Sequence, residues 1–188
     1  MPKRTDINVR FAAPEDAEQM SAVANSNFVP LDKLSERAHQ GFTIWPRDQN
    51  DYANCIGRSS HVAVAEDADG KIVGHILAYD MGVFKQIARQ SGSKNPIHQY
   101  KEYPDTSIFL DQITIKPDHH GMGIGSMLDA FLRAHAPQSD LWVTDIVHKP
   151  VKNEASVAFF ENLGFELQDE VEHDGWTLGI YEREMRHA

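Results

Sequence analysis

The chain contains one cysteine, Cys55, among its 188 residues. A single thiol excludes an intrachain disulfide and any cysteine-rich metal site. It sits in Asn54-Cys55-Ile56-Gly57, outside any ligand spacing, and reads as a buried or bystander thiol. Long apolar runs are also absent, and none approaches the roughly 18 residues needed to span a bilayer. The start, Met1-Pro2-Lys3-Arg4-Thr5-Asp6, lacks the apolar segment of a secretory signal. The expectation is a cytoplasmic protein with no membrane partner. Basic residues are in short supply: 18 Lys and Arg stand against 28 Asp and Glu, a formal net charge of −10. Such a chain neutralises phosphates poorly, so no nucleic-acid partner is expected. The acidic balance suits a cationic substrate such as an amine. The ten histidines form no H-E-x-x-H pair and no Cys/His cluster. His119 and His120 are adjacent and would point apart on a regular element, so no metal is expected.

What is present is concentrated in one stretch, Pro117-Asp118-His119-His120-Gly121-Met122-Gly123-Ile124-Gly125. A β-like run precedes it, Ile108-Phe109-Leu110-Asp111-Gln112-Ile113-Thr114-Ile115. A helix-period run follows, with Ile124, Met127, Leu128, Phe131 and Leu132 on one face. Strand, glycine loop and helix in this order can bring backbone N–H groups to a phosphate at a helix N-terminus. The glycine register is G-x-G-x-G, not the G-x-G-x-x-G of a dinucleotide site, and no Lys follows as a P-loop requires. A plain flexible strand-to-helix turn is the alternative reading of the loop alone.

A second segment, Asn153-Glu154-Ala155-Ser156-Val157-Ala158-Phe159-Phe160-Glu161-Asn162-Leu163-Gly164-Phe165, reads as a short apolar helix ended by a glycine, with a strand after it. The first loop resembles the acetyl-CoA loop of the GNAT superfamily of N-acetyltransferases, written Q/R-x-x-G-x-G/A. His120 stands at the Gln/Arg position, Gly123 at the first required Gly and Gly125 at the Gly/Ala. The second segment resembles the superfamily's N-x-x-A/S-x-x-F-Y-x-x-x-G-F, with Asn153, Ser156, Phe159, Gly164 and Phe165 in register. The resemblance covers residues 107–168. His120 and Phe160 depart from the pattern. The imidazole carries full charge only below about pH 6.5.

The remaining elements fit around these motifs. Residues 7–11 read as a first strand, and 14–25 as a helix with Pro14 at its first position. Residues 31–40 read as a second helix stopped by Gly41. Residues 42–60 carry no readable period, with Trp45-Pro46 as a break. His61–Glu66 and Lys71–Tyr79 read as a hairpin around Asp67-Ala68-Asp69-Gly70. Residues 80–106 read as an inserted substrate-side loop with one short helix near Val83–Arg89. A strand at 107–116, a helix at 122–135, a strand at 141–147, a helix at 154–163 and strands at 165–171 and 176–184 complete the order. The fold class is α/β (α+β) in a single domain over 1–188. The resemblance implies a mixed, mostly antiparallel sheet whose two central parallel strands, 107–116 and 141–147, splay apart.

The resemblance further implies acetyl-CoA as co-substrate. Backbone groups of Gly121, Met122, Gly123, Ile124, Gly125 and Ser126, with His120, would hold its pyrophosphate. Backbone groups around Ile113, Thr114 and Ile115 would hold its pantetheine arm, and an N–H near Ile113 would serve as oxyanion donor. Asn153 matches the family's Asn facing that arm, and Phe160 is expected among the cofactor-binding residues as well. The attacking amine must lose a proton, and Asp111 is the first candidate base, with a steering role for the cationic amine as its other reading. Asp145 and His148 are the second candidates, whereas His119 reads as surface. Many superfamily members have a Tyr where this chain has Phe160, and that Tyr can protonate the departing thiolate. Phe160 cannot, and Tyr79, Tyr100, Tyr103 and Tyr181 are the candidate substitutes. A coenzyme A thiol with a pKa of about 8.5 also leaves with help from water. The implied activity is acetyl transfer to a primary amine of a small molecule or peptide by direct attack in a ternary complex, with a homodimer as a further family trait. The alternative is a non-catalytic acyl-CoA-binding or sensor protein. A dinucleotide-dependent oxidoreductase fails on glycine register. Substrate choice is expected to depend on residues 26–60 and 80–106.

Overall fold

The structure is a computed structural model that describes residues 6–45, 47–91, 97–136 and 139–185. Among the described residues seven strands form one sheet in the order β1-β2-β3-β4-β5-β7-β6. They are β1 (Asn8–Phe11), β2 (His61–Glu66), β3 (Ile72–Asp80), β4 (Ile108–Ile115), β5 (Leu141–Lys149), β6 (Glu166–His173) and β7 (Trp176–Glu184). The one parallel pair described is β4 with β5, Ile108–Leu110 against Trp142–Thr144. At its last rung the Thr144 hydroxyl donates to the Leu110 carbonyl at 2.9 Å. The helices are α1 (Ala17–Asn25), α2 (Leu34–Arg37), α3 (Gln49–Arg58), α4 (Met81–Ser91), α5 (Ile97–Tyr100), α6 (Ile124–His135) and α7 (Glu154–Asn162). Among the described residues no helix is long and apolar enough to cross a membrane.

The chain divides into two compact units. The first comprises Met1–Phe28, Thr43–Ala78 and Gln112–Pro137. Its β1 pairs antiparallel with β2, and β2 with β3. The β2–β3 turn is closed by the Asp67 carboxylate, which accepts from the N–H groups of Asp69 and Lys71. Pro14 opens a 3-10 turn that leads into α1, and Asp16 there accepts two hydrogen bonds from Arg10 at 2.7 and 2.9 Å. That pair ties the helix start to β1. Met20, Val23 and Ala24 of α1 and Ile124, Leu128 and Leu132 of α6 are buried. Met127 is 40% exposed and Phe131 half-buried, so the apolar stripe of α6 is narrower than its sequence period. Phe131 instead packs edge-on against Phe11 of β1.

The stretch 42–60, without a readable period, contains α3. Its start is a reciprocal cap: the Asp48 carboxylate accepts from the N–H groups of Asn50 and Asp51, and that of Asp51 accepts from the N–H of Asp48. Tyr52, fully buried, is the core residue of this helix.

The second unit comprises Val29–Phe42, Tyr79–Asp111 and Gln138–Ala188. β7 pairs antiparallel with both β5 and β6. Trp142, Tyr181, Phe109 and Phe165 are buried, and the Arg183 guanidinium lies over the rings of Trp142 and Phe165. The helix expected over 31–40 is shorter: a 3-10 turn at Leu31–Lys33 and then α2. The Ala38 carbonyl accepts from the Ala155 N–H, a tertiary bond at the point where α2 ends. The expected loop over 80–106 is largely helical, with residues 92–96 outside the described residues. Met81 and Gly82 of α4 donate backbone hydrogen bonds to Ser107 and Asp105, and the Lys85 ammonium reaches the Tyr103 carbonyl and the Asp105 carboxylate. These bonds tie down both ends of what reads in sequence as an open loop.

Candidate functional site

The glycine loop joins β4 to α6 through a 3-10 turn at Pro117–His119. Gly121 and Gly123 have φ of +76° and +79°, a region that costs an L side chain about 1–2 kcal/mol. Gly123 is the residue before α6, and no side chain caps the helix there. The N–H groups of Ile124, Gly125 and Ser126 precede the first intrahelical bond, which runs from Met127 to the Gly123 carbonyl. No acidic residue stands in the first turn. A Cβ built on Gly121 or Gly123 would meet nothing within 4 Å. Free donors, a positive helix end and open space above them fit an anionic group such as a pyrophosphate. Gly121, Met122 and Gly123 are exposed, as is Ser126, while Ile124 and Gly125 are buried.

His120 turns back on the loop. Its Nε2 lies 2.8 Å from the Ile115 carbonyl, so Nε2 carries the proton and donates. The same carbonyl accepts from the Asn27 side chain at 2.9 Å. Ile115 C=O is therefore doubly engaged at the end of β4. Gly74 on β3 makes the approach to this strand possible, because a Cβ there would lie 2.6 Å from the Ile115 side chain and 3.2 Å from the Thr114 carbonyl. His119, read as surface, is half-buried, and its Nδ1 contacts the Asp118 carboxylate at 2.7 Å. That contact holds the Asp118 carboxyl below its usual range.

A cluster that sequence reasoning missed lies in the same unit. Gln112 Oε1 is 2.6 Å from the Tyr52 hydroxyl and 3.1 Å from Nε2 of His75. His75 is completely buried, and its loss of hydration pulls its pKa down to about 4. The imidazole is thus neutral at pH 7. The partners are 60 and 37 residues from Gln112 in sequence, beyond the reach of any local pattern.

The remaining candidates lie in the second unit. His148 is 7% exposed and sits where the β5–β7 register shifts between Val147 and Lys149. Such a bulge re-aims a side chain, and here the ring packs over Gly179, where a Cβ would come within 2.5 Å of it. Nδ1 lies 2.5 Å from the Glu170 carboxylate and Nε2 3.0 Å from the Tyr181 hydroxyl. The imidazole contact holds Glu170 below its usual range, and burial pushes the Tyr181 phenol up to about 12. Both ring nitrogens of His148 are therefore engaged. Asp111 and Asp145 are half-buried, on β4 and β5. Asn153 caps α7: its side-chain oxygen accepts from the Ser156 N–H, and its amide donates to the Phe42 carbonyl at 3.1 Å. Both ends of the Asn153 side chain thus serve packing. Phe160 is buried, edge-on to Phe159 and Phe165. Gly164, at φ +85°, ends α7, with its N–H bonded to Glu161 and that of Phe165 to Phe160. Of the tyrosines named as substitutes for a general acid, Tyr79, Tyr103 and Tyr181 are buried and Tyr100 is half-buried. The Tyr103 hydroxyl donates to Glu182 at 2.8 Å, and its pKa is raised, first by burial. Among the described residues no group of three or more His, Cys, Asp or Glu could hold a metal ion.

The family model described as Acetyltransferase (GNAT) family matches residues 29–165. The chain belongs to the GNAT acetyltransferase family. No curated protein matches its sequence. Solved GNAT-like structures cover nearly all of it. Ard1 from Thermoplasma volcanium is 13% identical, with a TM-score of 0.69 over 96% of this chain and 99% of that one. PaiA N-acetyltransferase from Thermoplasma acidophilum, solved in complex with coenzyme A, is 15% identical, with a TM-score of 0.63 over 96% and 99%. Naa50 from Arabidopsis thaliana, in complex with the bisubstrate analogue CoA-Ac-MVNAL, is 13% identical, with a TM-score of 0.61 over 95% and 99%. At these identities the likeness is one of fold: the mixed sheet with its parallel β4–β5 pair is the GNAT arrangement.

Proposed function

We propose that this GNAT chain transfers the acetyl group of acetyl-CoA to a primary amine of a small molecule or peptide, by direct attack in a ternary complex. The observation that carries the reading is the uncapped start of α6 beneath open space, with Gly121 and Gly123 in left-handed backbone. The N–H groups from Gly121 to Ser126 would hold the pyrophosphate. The strand backbone around Ile113 and Thr114 would hold the pantetheine arm, since the Ile115 carbonyl already has two donors. The co-substrate supplies an acetyl group activated as a thioester. An N–H near Ile113 would stabilise the charge that develops on its oxygen.

The ammonium must be deprotonated before it can attack. Asp111 is the assigned proton acceptor or cation-steering group, a half-buried carboxylate two residues before Ile113. Asp145 is the second choice. His148 is the other second choice, with Nδ1 at Glu170 and Nε2 at Tyr181. Asn153 is assigned to holding the chain at Phe42 against α7 rather than to the co-substrate. Phe160 has no proton to give the thiolate, so water is assigned that role. The buried Phe160 also favours a second reading, an acyl-CoA-binding sensor without turnover.

Calorimetric titration with coenzyme A, together with an amine panel read by thiol release, separates these readings. Binding with turnover supports the transferase. Tight binding without turnover on the whole panel supports the sensor, and no binding refutes both.

A further inference from the structure

Gln112 and Thr114 alternate with Ile113 on β4 and so share one face of the strand. On that face three polar groups lack partners among the described residues. The Thr114 hydroxyl and His75 Nδ1 are buried without a hydrogen bond. The third is the Gln112 carboxamide nitrogen, for which the structure shows no acceptor, while its oxygen receives two donors. Those two donors fix how the carboxamide points. Were it turned over, Nε2 of His75 would have to accept and Nδ1 would carry the proton. That would bury an N–H with no acceptor, which is rarer and costlier than an unpaired lone pair. Gln112 is half-buried, so its amide is not sealed in the core. The face thus offers an aimed donor and a hydroxyl, on the strand that leads directly into the glycine loop.

We propose that the Gln112 amide is a substrate-binding donor that selects amines carrying a carboxylate or amide oxygen, with Tyr52 and His75 as positioning residues that hold it in register. Buried unpaired groups in proteins are usually satisfied by water or ligand. A carbonyl-type oxygen of the acyl acceptor satisfies the Gln112 amide directly. This inference rests on the transferase reading above.

The test uses matched trios: phenylalanine, phenylalaninamide and phenethylamine; tyrosine, tyrosinamide and tyramine; lysine, lysinamide and cadaverine. The wild type is expected to favour the acid or amide member of a trio over the decarboxylated one. Gln112→Glu keeps an oxygen for Tyr52 and His75 but replaces the donor with an acceptor. It should raise KM for the favoured member by about 10- to 100-fold, the size of a hydrogen bond to a charged group. The loss should fall on KM more than on kcat, the decarboxylated amine should lose less than the favoured member, and the KM for acetyl-CoA should change by less than about twofold. Tyr52→Phe should raise the same KM by a smaller factor. If Gln112→Glu does not fold, Gln112→Asn, which keeps the amide but draws it back by one methylene, should raise the same KM by a smaller factor. Equal preference within every trio, equal losses on all members, or an unchanged KM overturns the proposal and leaves a water-filled polar pocket. Coenzyme A binding without turnover of any trio overturns it while sparing the cofactor reading, whereas absent coenzyme A binding overturns both.

Discussion

A methyl group placed on the glycine loop gives a quantitative test of the cofactor site. Gly123 has φ +79°, and a Cβ there would touch no protein atom within 4 Å. Gly123→Ala should therefore cost only the left-handed backbone penalty, about 1–2 kcal/mol. For a chain of this length that lowers the thermal midpoint by roughly 2–8 °C. Gly70 supplies the control. It lies in the β2–β3 turn at φ +75°, also with nothing within 4 Å, so Gly70→Ala should cost about the same. Coenzyme A affinity should separate the two variants. At Gly123 the methyl group stands where the phosphates would approach the α6 start, and losing one such hydrogen bond is worth about 1.5–3 kcal/mol. Calorimetry should show Kd weakened by about 10- to 150-fold for Gly123→Ala and unchanged for Gly70→Ala. A bulkier Gly123→Trp should abolish binding while leaving the fold largely intact. If both alanine variants lose similar stability and Gly123→Ala binds coenzyme A within twofold of wild type, the loop is a plain turn and the assignment is wrong.

Three further outcomes follow from packing and charge. Gly179→Ala forces the His148 ring away from β7 and should cost about 1–3 kcal/mol by denaturant unfolding. Adding His148→Ala should relieve much of that loss, and purely additive costs would refute the contact. Asn153→Ala removes the α7 cap and the bond to Phe42 and should cost about 1–2 kcal/mol with little change in coenzyme A affinity. A large affinity loss at unchanged stability would return Asn153 to the cofactor site. His75 has a folded pKa of about 4, below its value of about 6.5 in an unfolded chain. Between those values the unfolded chain takes up a proton that the folded one does not, so stability is full above pH 6.5 and falls as pH drops towards 4. The loss approaches about 3 kcal/mol and should flatten in His75→Gln, as read from denaturation midpoints across that range. An identical slope in wild type and variant would contradict the burial argument.

The elements with strong local signals were legible. The β2–β3 hairpin, the helix opened by Pro14 and the Gly164 end of α7 each carry a turn or cap that needs particular residues within four positions. α3 carried such a signal as well, the reciprocal Asp48 and Asp51 cap, but Trp45-Pro46 and a weak apolar period obscured it. The length of α4 was not legible, because Met81, Gly82 and Lys85 are held by a segment some twenty residues downstream. The candidate site divides in the same way. Gly121 and Gly123 announce themselves, since only glycine combines left-handed backbone with an open approach, whereas Gly125 lies buried in the first turn of α6. The engagement of His120 with Ile115, of His148 with Glu170 and Tyr181, and of Asn153 with Phe42 could not be read, because each partner arrives through folding.

The sequence by itself determined the family, the element order and the residues that could receive an anion. Those depend on backbone freedom and short-range spacing, which are local properties. Only the tertiary structure decided which polar groups are already satisfied and which are left over. Hydrogen bonds saturate, and a partner 60 residues away, as Tyr52 is from Gln112, becomes a neighbour only after the strands pair. That assignment gave His148 and Asn153 partners within the fold and brought Gln112 forward.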